Sequence, residues 1–251
     1  MDVTMYYKTQ GLVLRETEYK DADKLLTVLT KDRGQLTLRA RGVRSRSSRL
    51  KSGCQLLAYS EFTVFENRNS ALVDEATPIA LFIPLREDIE KLSLASYIAQ
   101  VAEVLSLEDS PNPELLSLCL YAFHALADLD RPQLLVKAAF ELRAACMAGY
   151  LPMLDGCTVC GAPGPDRFHA MGGVLQCAGC LLPEDTGVRL PVHTSALAAM
   201  RYIISCDLKR LFSFRLGEQG LKELADIAEV YLLTQLERGF FTLDFYKSLR
   251  I

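Results

Sequence analysis

QLTLRARGVRSRSSRLKSG, residues 35–53, starts as a β-strand and ends as something else. In its first half the period-two rule sends Leu36, Leu38 and Ala40 to one face and Thr37, Arg39 and Arg41 to the other, as in a strand with one face on a core. In its second half the apolar alternation stops and Ser and Gly take over, which predicts a long, mobile loop. Six cations, Arg39, Arg41, Arg44, Arg46, Arg49 and Lys51, fall within this stretch, and no acid occurs between Arg33 and Ser60.

Outward from this stretch, the first eighty residues read as a small all-β domain. Strands are predicted at 6–16, 24–30, 35–41, 57–66 and 71–77, with turn chemistry at KDRG (31–34) and NRNS (67–70). Five short strands in this length predict a Greek-key barrel of the OB-fold type, with an SH3-like barrel as the other candidate. From about residue 85 the period changes to three and four. Helices are predicted over 87–107, 113–129, 132–149, 194–206 and 218–238, the second and third opening near a proline. The aromatic tail FFTLDFYKSLRI is predicted to pack back on these helices. The expected class is therefore multidomain α+β: an OB-fold domain over 1–80, a helical domain over 81–152 and 190–251, and a small insert over 153–189.

Charge separates the two ends. The 251-residue chain has a formal net charge of −3, yet residues 1–80 hold 13 Lys and Arg against 10 Asp and Glu. Because salt screens fields beyond roughly 8 Å, a local cationic cluster can attract a polyanion despite the total. The N-terminus lacks a signal-peptide pattern and no apolar run reaches a membrane span, so a cytoplasmic location is expected, with no membrane partner.

The insert carries Cys157-Thr158-Val159-Cys160 and Cys177-Ala178-Gly179-Cys180, a C-x2-C-x16-C-x2-C motif. Two tight turns that each aim two thiolates at one point supply the tetrahedral four-sulfur shell of zinc. Four protein ligands leave no open coordination position, so one structural Zn2+ is expected rather than a catalytic one. A nucleobase deaminase would need H-x-E, whereas the histidine here reads His169-Ala170-Met171. No phosphate-cradling GxxxxGK[ST] motif and no nucleophile beside a histidine occurs, so neither enzymatic activity nor a small-molecule substrate is expected.

The lesser candidates have plainer readings. Tyr6, Tyr7, Tyr59, Phe62 and Phe65 are either barrel filling or stacking platforms for unpaired bases. His124, on the apolar run LYAFHALA, reads as a core or half-buried histidine. The acids of ETEYKDAD (16–23), with lysines interspersed, read as a solvated turn.

Taken together, T-x-x-x-G-x-L followed by A-R-G-V-R-S-x-S-x-x-L-K, and then G-Y-x-P-x-L-x-x-C-x-x-C-G ahead of the second C-x-x-C, resemble the RecO family of bacterial DNA repair proteins along essentially the whole chain. The resemblance implies an OB-fold, a helical domain and an inserted zinc finger. It implies a recombination mediator, active at the nucleoid, that binds single- and double-stranded DNA, anneals complementary strands, and with RecR loads RecA onto DNA coated by SSB, whose C-terminal tail docks on the helical domain. By position, Arg39, Arg41, Arg44, Arg46, Arg49 and Lys51 match the family's basic strand and loop, and Cys157, Cys160, Cys177 and Cys180 its zinc ligands. Where many relatives have Leu-Gln-Pro-Phe, this chain has Cys54-Gln55-Leu56-Leu57-Ala58, so a different entry to the fourth strand is expected. The competing reading is a sequence-specific DNA-binding regulator that reads bases with its zinc module.

Overall fold

A computed structural model describes residues 5–67, 70–180 and 186–250. The chain divides into two compact units, Met1–Asp128 with Phe240–Ile251, and Leu129–Gly239.

The first unit opens with five strands: β1 (Met5–Tyr19), β2 (Asp23–Thr30), β3 (Gln35–Ala40), β4 (Tyr59–Asn67) and β5 (Ser70–Ala80). They form a barrel in the order β1-β2-β3-β5-β4, with β1 also paired to β4. All pairings are antiparallel except β3 with β5, a short parallel seam of two residue pairs, Leu38 opposite Ala71 and Arg39 opposite Leu72. This is the expected five-stranded OB-type ring. The period-two pattern explains its interior: Leu26 and Val28 of β2, Leu38 and Ala40 of β3, and Phe62 and Val64 of β4 are fully buried in one core with Val13 and Val73. The KDRG turn forms as its chemistry requires, with Gly34 at φ 68° and its carbonyl accepting from the Thr30 hydroxyl at 2.7 Å. Of the NRNS turn, Arg68 and Asn69 lie outside the described residues. At the entry to β4, Leu57 N–H donates to Val13 O (2.9 Å) and Val13 N–H to Ala58 O (3.0 Å), so residues 57–58 pair with β1.

Four helices complete this unit: α1 (Ile83–Arg86), α2 (Ile89–Leu105), α3 (Pro113–Ala127) and α7 (Phe241–Ser248). Asp88 caps α2 by accepting from the Glu90 and Lys91 amides, and Asn112 caps α3, whose first residue is Pro113. The aromatic tail is α7, held on α2 by Thr242 donating to Gln100 (2.6 Å) and by Phe240 packing edge-on against Tyr97. His124 departs from its expected burial. It is exposed near the end of α3 and pairs with Asp128 at 2.6 Å, because its position falls on the solvent side of an otherwise apolar helix.

The second unit holds α4 (Gln133–Met147), α5 (Thr194–Ser205) and α6 (Glu218–Leu236), with four short strands between α4 and α5: β6 (Met153–Cys157), β7 (Arg167–His169), β8 (Val174–Gln176) and β9 (Arg189–Pro191). Sheet order is β6-β8-β7-β9. Helices read as one series are thus shared between units, α2 and α3 with the barrel and α4 with α5 and α6. Between α4 and α6 lies Lys137, its ammonium 2.9 Å from Glu141 and 2.7 Å from Glu229. Those carboxylates offset the cost of burial and hold the Lys137 pKa above its ordinary value.

Candidate nucleic-acid interface and metal centre

Beyond β3 the basic segment has no regular secondary structure, but it is pinned to the barrel. Its backbone folds through successive turns, with Arg44 N–H donating to Ala22 O (3.0 Å), Ser45 N–H to Gly42 O (3.0 Å) and Cys54 N–H to Leu50 O (3.0 Å). Three apolar side chains spaced along it reach the barrel core: Val43 and Cys54 are buried there and Leu50 packs against them. Burial pushes the Cys54 thiol up to about 12, so it serves as an apolar filler. Gly53 lies against β5 so closely that a Cβ there would meet Ala76 O at 2.6 Å. The loop expected from Ser and Gly content is therefore an anchored series of turns, and the anchors were hidden by the cations around them.

The six cations divide by their surroundings. Arg39 is half-buried, its Nη2 2.6 Å from Asp23 Oδ2 and its guanidinium 5.1 Å from the centre of the Tyr19 ring. The other Asp23 oxygen accepts from Gly42 N–H at 2.8 Å, so one carboxylate fixes both the end of β3 and the first turn after it. That amide, followed by Arg39, holds the Asp23 carboxyl below the usual range. Arg44 pairs with Glu18 at 3.1 Å, and Lys51 donates to Arg46 O at 3.3 Å. Arg41, Arg46 and Arg49 are exposed and have no carboxylate partner among the described residues. Asp23 is the residue that sequence reasoning missed: within ETEYKDAD it reads as one more solvated acid, and only the pairing of β2 with β3 sets it beside Arg39.

The aromatics also sort. Phe62 is core, Tyr7 packs against that core with the Arg33 guanidinium 3.7 Å from its ring centre, and Tyr59 donates to Gln10 at 3.0 Å. Tyr6 and Phe65 point outward as a pair, ring centres 4.9 Å apart.

In the second unit the four cysteine sulfurs come together, all within 4.8 Å of one another. Cys160 and Cys177 Sγ are 3.8 Å apart, which is about the sulfur separation of a tetrahedron with metal–sulfur bonds of about 2.3 Å. Each pair sits on a tight turn: Gly161 N–H donates to Cys157 O (2.8 Å), with Gly161 at φ 74°, and Cys180 N–H donates to Cys177 O (2.9 Å). Backbone amides around Cys160 and Cys177 hold the Cys157 thiol down at about 6, while desolvation and the neighbouring thiols push Cys177 up to about 12. Hydrogen bonding with Cys160 does the same to Cys180, at about 11. Without a cation the group thus favours a thiolate at Cys157 and protons on Cys177 and Cys180; a bound dication would stabilise the thiolates. The donor set fits one metal ion. His169 is not part of it, being hydrogen-bonded through Nε2 to Thr186 O at 2.7 Å.

The ribbon carrying these cysteines is larger than the two strands read from DRFHA and GVLQ, since β6 and β9 flank them. It is docked on the unit's helices. Phe168 is buried edge-on against Tyr231 of α6, ring centres 5.3 Å apart, and Gln235 donates to Ala170 O (2.9 Å) and Met171 O (3.1 Å). Arg201 of α5 donates through Nε to Leu154 O at 2.9 Å. At Gly173, φ 61°, a Cβ would meet the Tyr231 hydroxyl at 2.7 Å.

Two family models match this chain in succession, Recombination protein O N terminal over residues 4–82 and Recombination protein O C terminal over residues 86–244. Proteins curated as DNA repair protein RecO are similar over nearly the same length. That of Acetivibrio thermocellus is 33% identical over 246 residues, covering 97% of each chain. That of Anaeromyxobacter sp. (strain K) is 36% identical over 238 residues, covering 92% of each. That of Heliobacterium modesticaldum is 34% identical over 229 residues, 88% of this chain and 82% of its own. With both halves matched in order and the barrel, helices and cysteine cluster in place, the chain belongs to the RecO family of recombination proteins.

Proposed function

We propose that this protein is a non-enzymatic DNA repair and recombination mediator that binds single- and double-stranded DNA and anneals complementary strands. Annealing requires no covalent chemistry: neutralising two phosphate backbones lowers their repulsion, and loose contacts let bases find partners. The carrying observation is the pinned basic segment, which presents Arg41, Arg46 and Arg49 without carboxylate partners among the described residues. Arg39 and Arg44 are engaged with Asp23 and Glu18, so they orient the segment and contribute less to phosphate binding. With Lys51 added, about four cations face solvent, and log K should fall with log salt at a slope of about −3.6 on duplex DNA. Titration of the full chain at several salt concentrations tests this; binding without salt dependence would refute it.

Membership of the RecO family supports the further partners: RecR, and SSB through its acidic, hydrophobic C-terminal tail, in the cytoplasm and at the nucleoid, with RecA loading as the outcome. The first unit has an apolar cleft of about 560 Å³ walled by Leu14, Leu56, Ile89, Leu92, Phe241 and Phe245, a seat for the hydrophobic end of such a tail. Phe245→Glu should abolish binding of a tail peptide while sparing DNA binding.

The metal is proposed to be one structural Zn2+ on Cys157, Cys160, Cys177 and Cys180, supported by the all-thiolate donor set and sulfur spacing. Such an ion crosslinks the two turns of the ribbon. A sequence-specific reader built on this ribbon has little support, because Arg167, the one Lys or Arg between the cysteine pairs, is 3.3 Å from Asp166. Selection on random duplexes should return no consensus.

A further inference from the structure

The outside of the barrel carries one row of side chains that breaks the rule for a solvated sheet face. Strand register sets Thr17 opposite Leu25, Leu25 opposite Arg39, Arg39 opposite Leu72, Leu72 opposite Phe65, and Phe65 opposite Tyr6. Directly opposed residues share a face, and their neighbours along each strand, Leu26, Leu38, Val73 and Val64, all enter the barrel core. The row therefore points outward and winds around the closed barrel from β2 through β3, β5 and β4 to β1, at the strand spacing of about 4.8 Å, so that only neighbouring members share one side.

An outward face is normally polar. The parallel row two residues along is so, running Lys8, Thr63, Glu75. Here Leu25, Leu72, Phe65 and Tyr6 lie side by side with Arg39 among them, and Tyr6 is 63% exposed. The Tyr19 ring adds a further aromatic face beside Arg39. Arg41, the next residue of outward parity beyond β3, is exposed and has no carboxylate partner among the described residues.

We infer that the outward Tyr6–Phe65 pair of this row is a stacking platform for unpaired bases, and that it strengthens binding of single-stranded relative to duplex nucleic acid. The inference rests on the DNA-binding reading above and goes beyond it. Phosphate contacts from Arg41, Arg46 and Arg49 are available to either form of DNA, whereas only unpaired bases offer free π-faces. The charge fits the same occupant: the two rings lie on the same winding row as Arg39, beyond which the cationic segment starts, and this matches a strand whose bases stack on the rings and whose phosphates follow the cations. An apolar peptide would find the rings but no use for the cations.

The test uses the full-length protein. Tyr6→Leu combined with Phe65→Leu keeps apolar bulk and removes both rings. It should weaken binding of an oligothymidylate by about 10-fold or more, within the range that loss of base stacking produces. Binding to a duplex of equal length should change by less than about twofold. The chain contains no Trp, so Tyr6→Trp installs a single reporter. It should bind the oligothymidylate at least as well as the unmodified protein, with its emission quenched by that strand and not by the duplex. Unchanged single-strand binding by the double variant, an equal loss on both DNA forms, or an unquenched tryptophan would overturn the stacking platform. Absence of any DNA binding by the unmodified protein would instead overturn the DNA-binding reading on which it rests.

Discussion

The basic segment and the cysteine ribbon are both poor in regular structure, and they are held by opposite means. Residues 43–54 are fixed from below, by Val43, Leu50 and Cys54 entering a barrel core that exists without them. Arg46 and Arg49 are left outside, exposed and without a carboxylate partner among the described residues. The ribbon is fixed from two sides: Phe168 and Leu175 are buried, and four thiols converge on one point, Cys157 buried and the other three partly or fully exposed. In the first region polar chemistry is what remains after folding; in the second it is a means of folding. Substitutions at polar residues should therefore cost stability in the ribbon and binding in the basic segment.

The largest effect should follow from Cys157→Ser with Cys160→Ser. Losing two of four ligands forfeits most of a metal-binding free energy that amounts to about 10–16 kcal/mol in zinc-finger peptides. The variant should contain no bound metal and should lose amide-exchange protection across the ribbon, or aggregate. Retained protection throughout the ribbon would show that docking alone folds it. Phe168→Ala separates the two supports. Removing a fully buried ring should cost about 3–5 kcal/mol while leaving one metal ion per chain, read by denaturant unfolding and metal analysis.

The same contrast explains what the sequence reveals. Cysteine spacing is a local constraint, so C-x2-C-x16-C-x2-C identifies a four-sulfur site before any fold is known. Strands β2 to β5 and the five longer helices α2 to α6 are likewise visible as periods of two or of three to four. The anchors of the basic segment are not, because Val43, Leu50 and Cys54 stand among Arg, Ser and Gly, and their steps of seven and four, which would suit a helix, occur in a segment that folds as turns. Asp23 acquires its meaning only when β2 and β3 pair. The row from Leu25 to Tyr6 is assembled from five strands, each contributing one residue, so no window of sequence contains it. The division of helices between the two units is hidden for the same reason, since α4 carries no local mark that it belongs with α6 and not with α3.

In the basic segment, Arg41→Glu, Arg46→Glu and Arg49→Glu together should leave the thermal unfolding midpoint nearly unchanged, because all three side chains are exposed. Binding to single and double strands should fall, and the duplex salt slope should flatten by about 2.7 units, three contacts at about 0.9 each. A drop in melting temperature comparable to that of Phe168→Ala would break the contrast, since it would give these cations a folding role.

The smallest expected effect lies at Asp23, where the two roles meet. Its carboxylate holds Gly42 N–H and Arg39 together, so it is a polar group of this region with a share in folding. Asp23→Asn keeps an acceptor for the Gly42 amide and loses the ion pair, which should lower the melting temperature slightly at neutral pH and free Arg39. Duplex binding should then strengthen and its salt slope steepen by up to about 0.9. The pH dependence has a definite sign. The folded-state pKa lies below the unfolded value of about 3.9, so the stabilisation is complete above that value and is lost as pH falls through the folded one. Melting curves of the unmodified protein and Asp23→Asn, distinct at pH 7, should converge in acid. A gap that stays constant below pH 3.9 would mean that the charge on Asp23 contributes nothing, and that the turn after β3 is held by Val43 and its apolar neighbours alone.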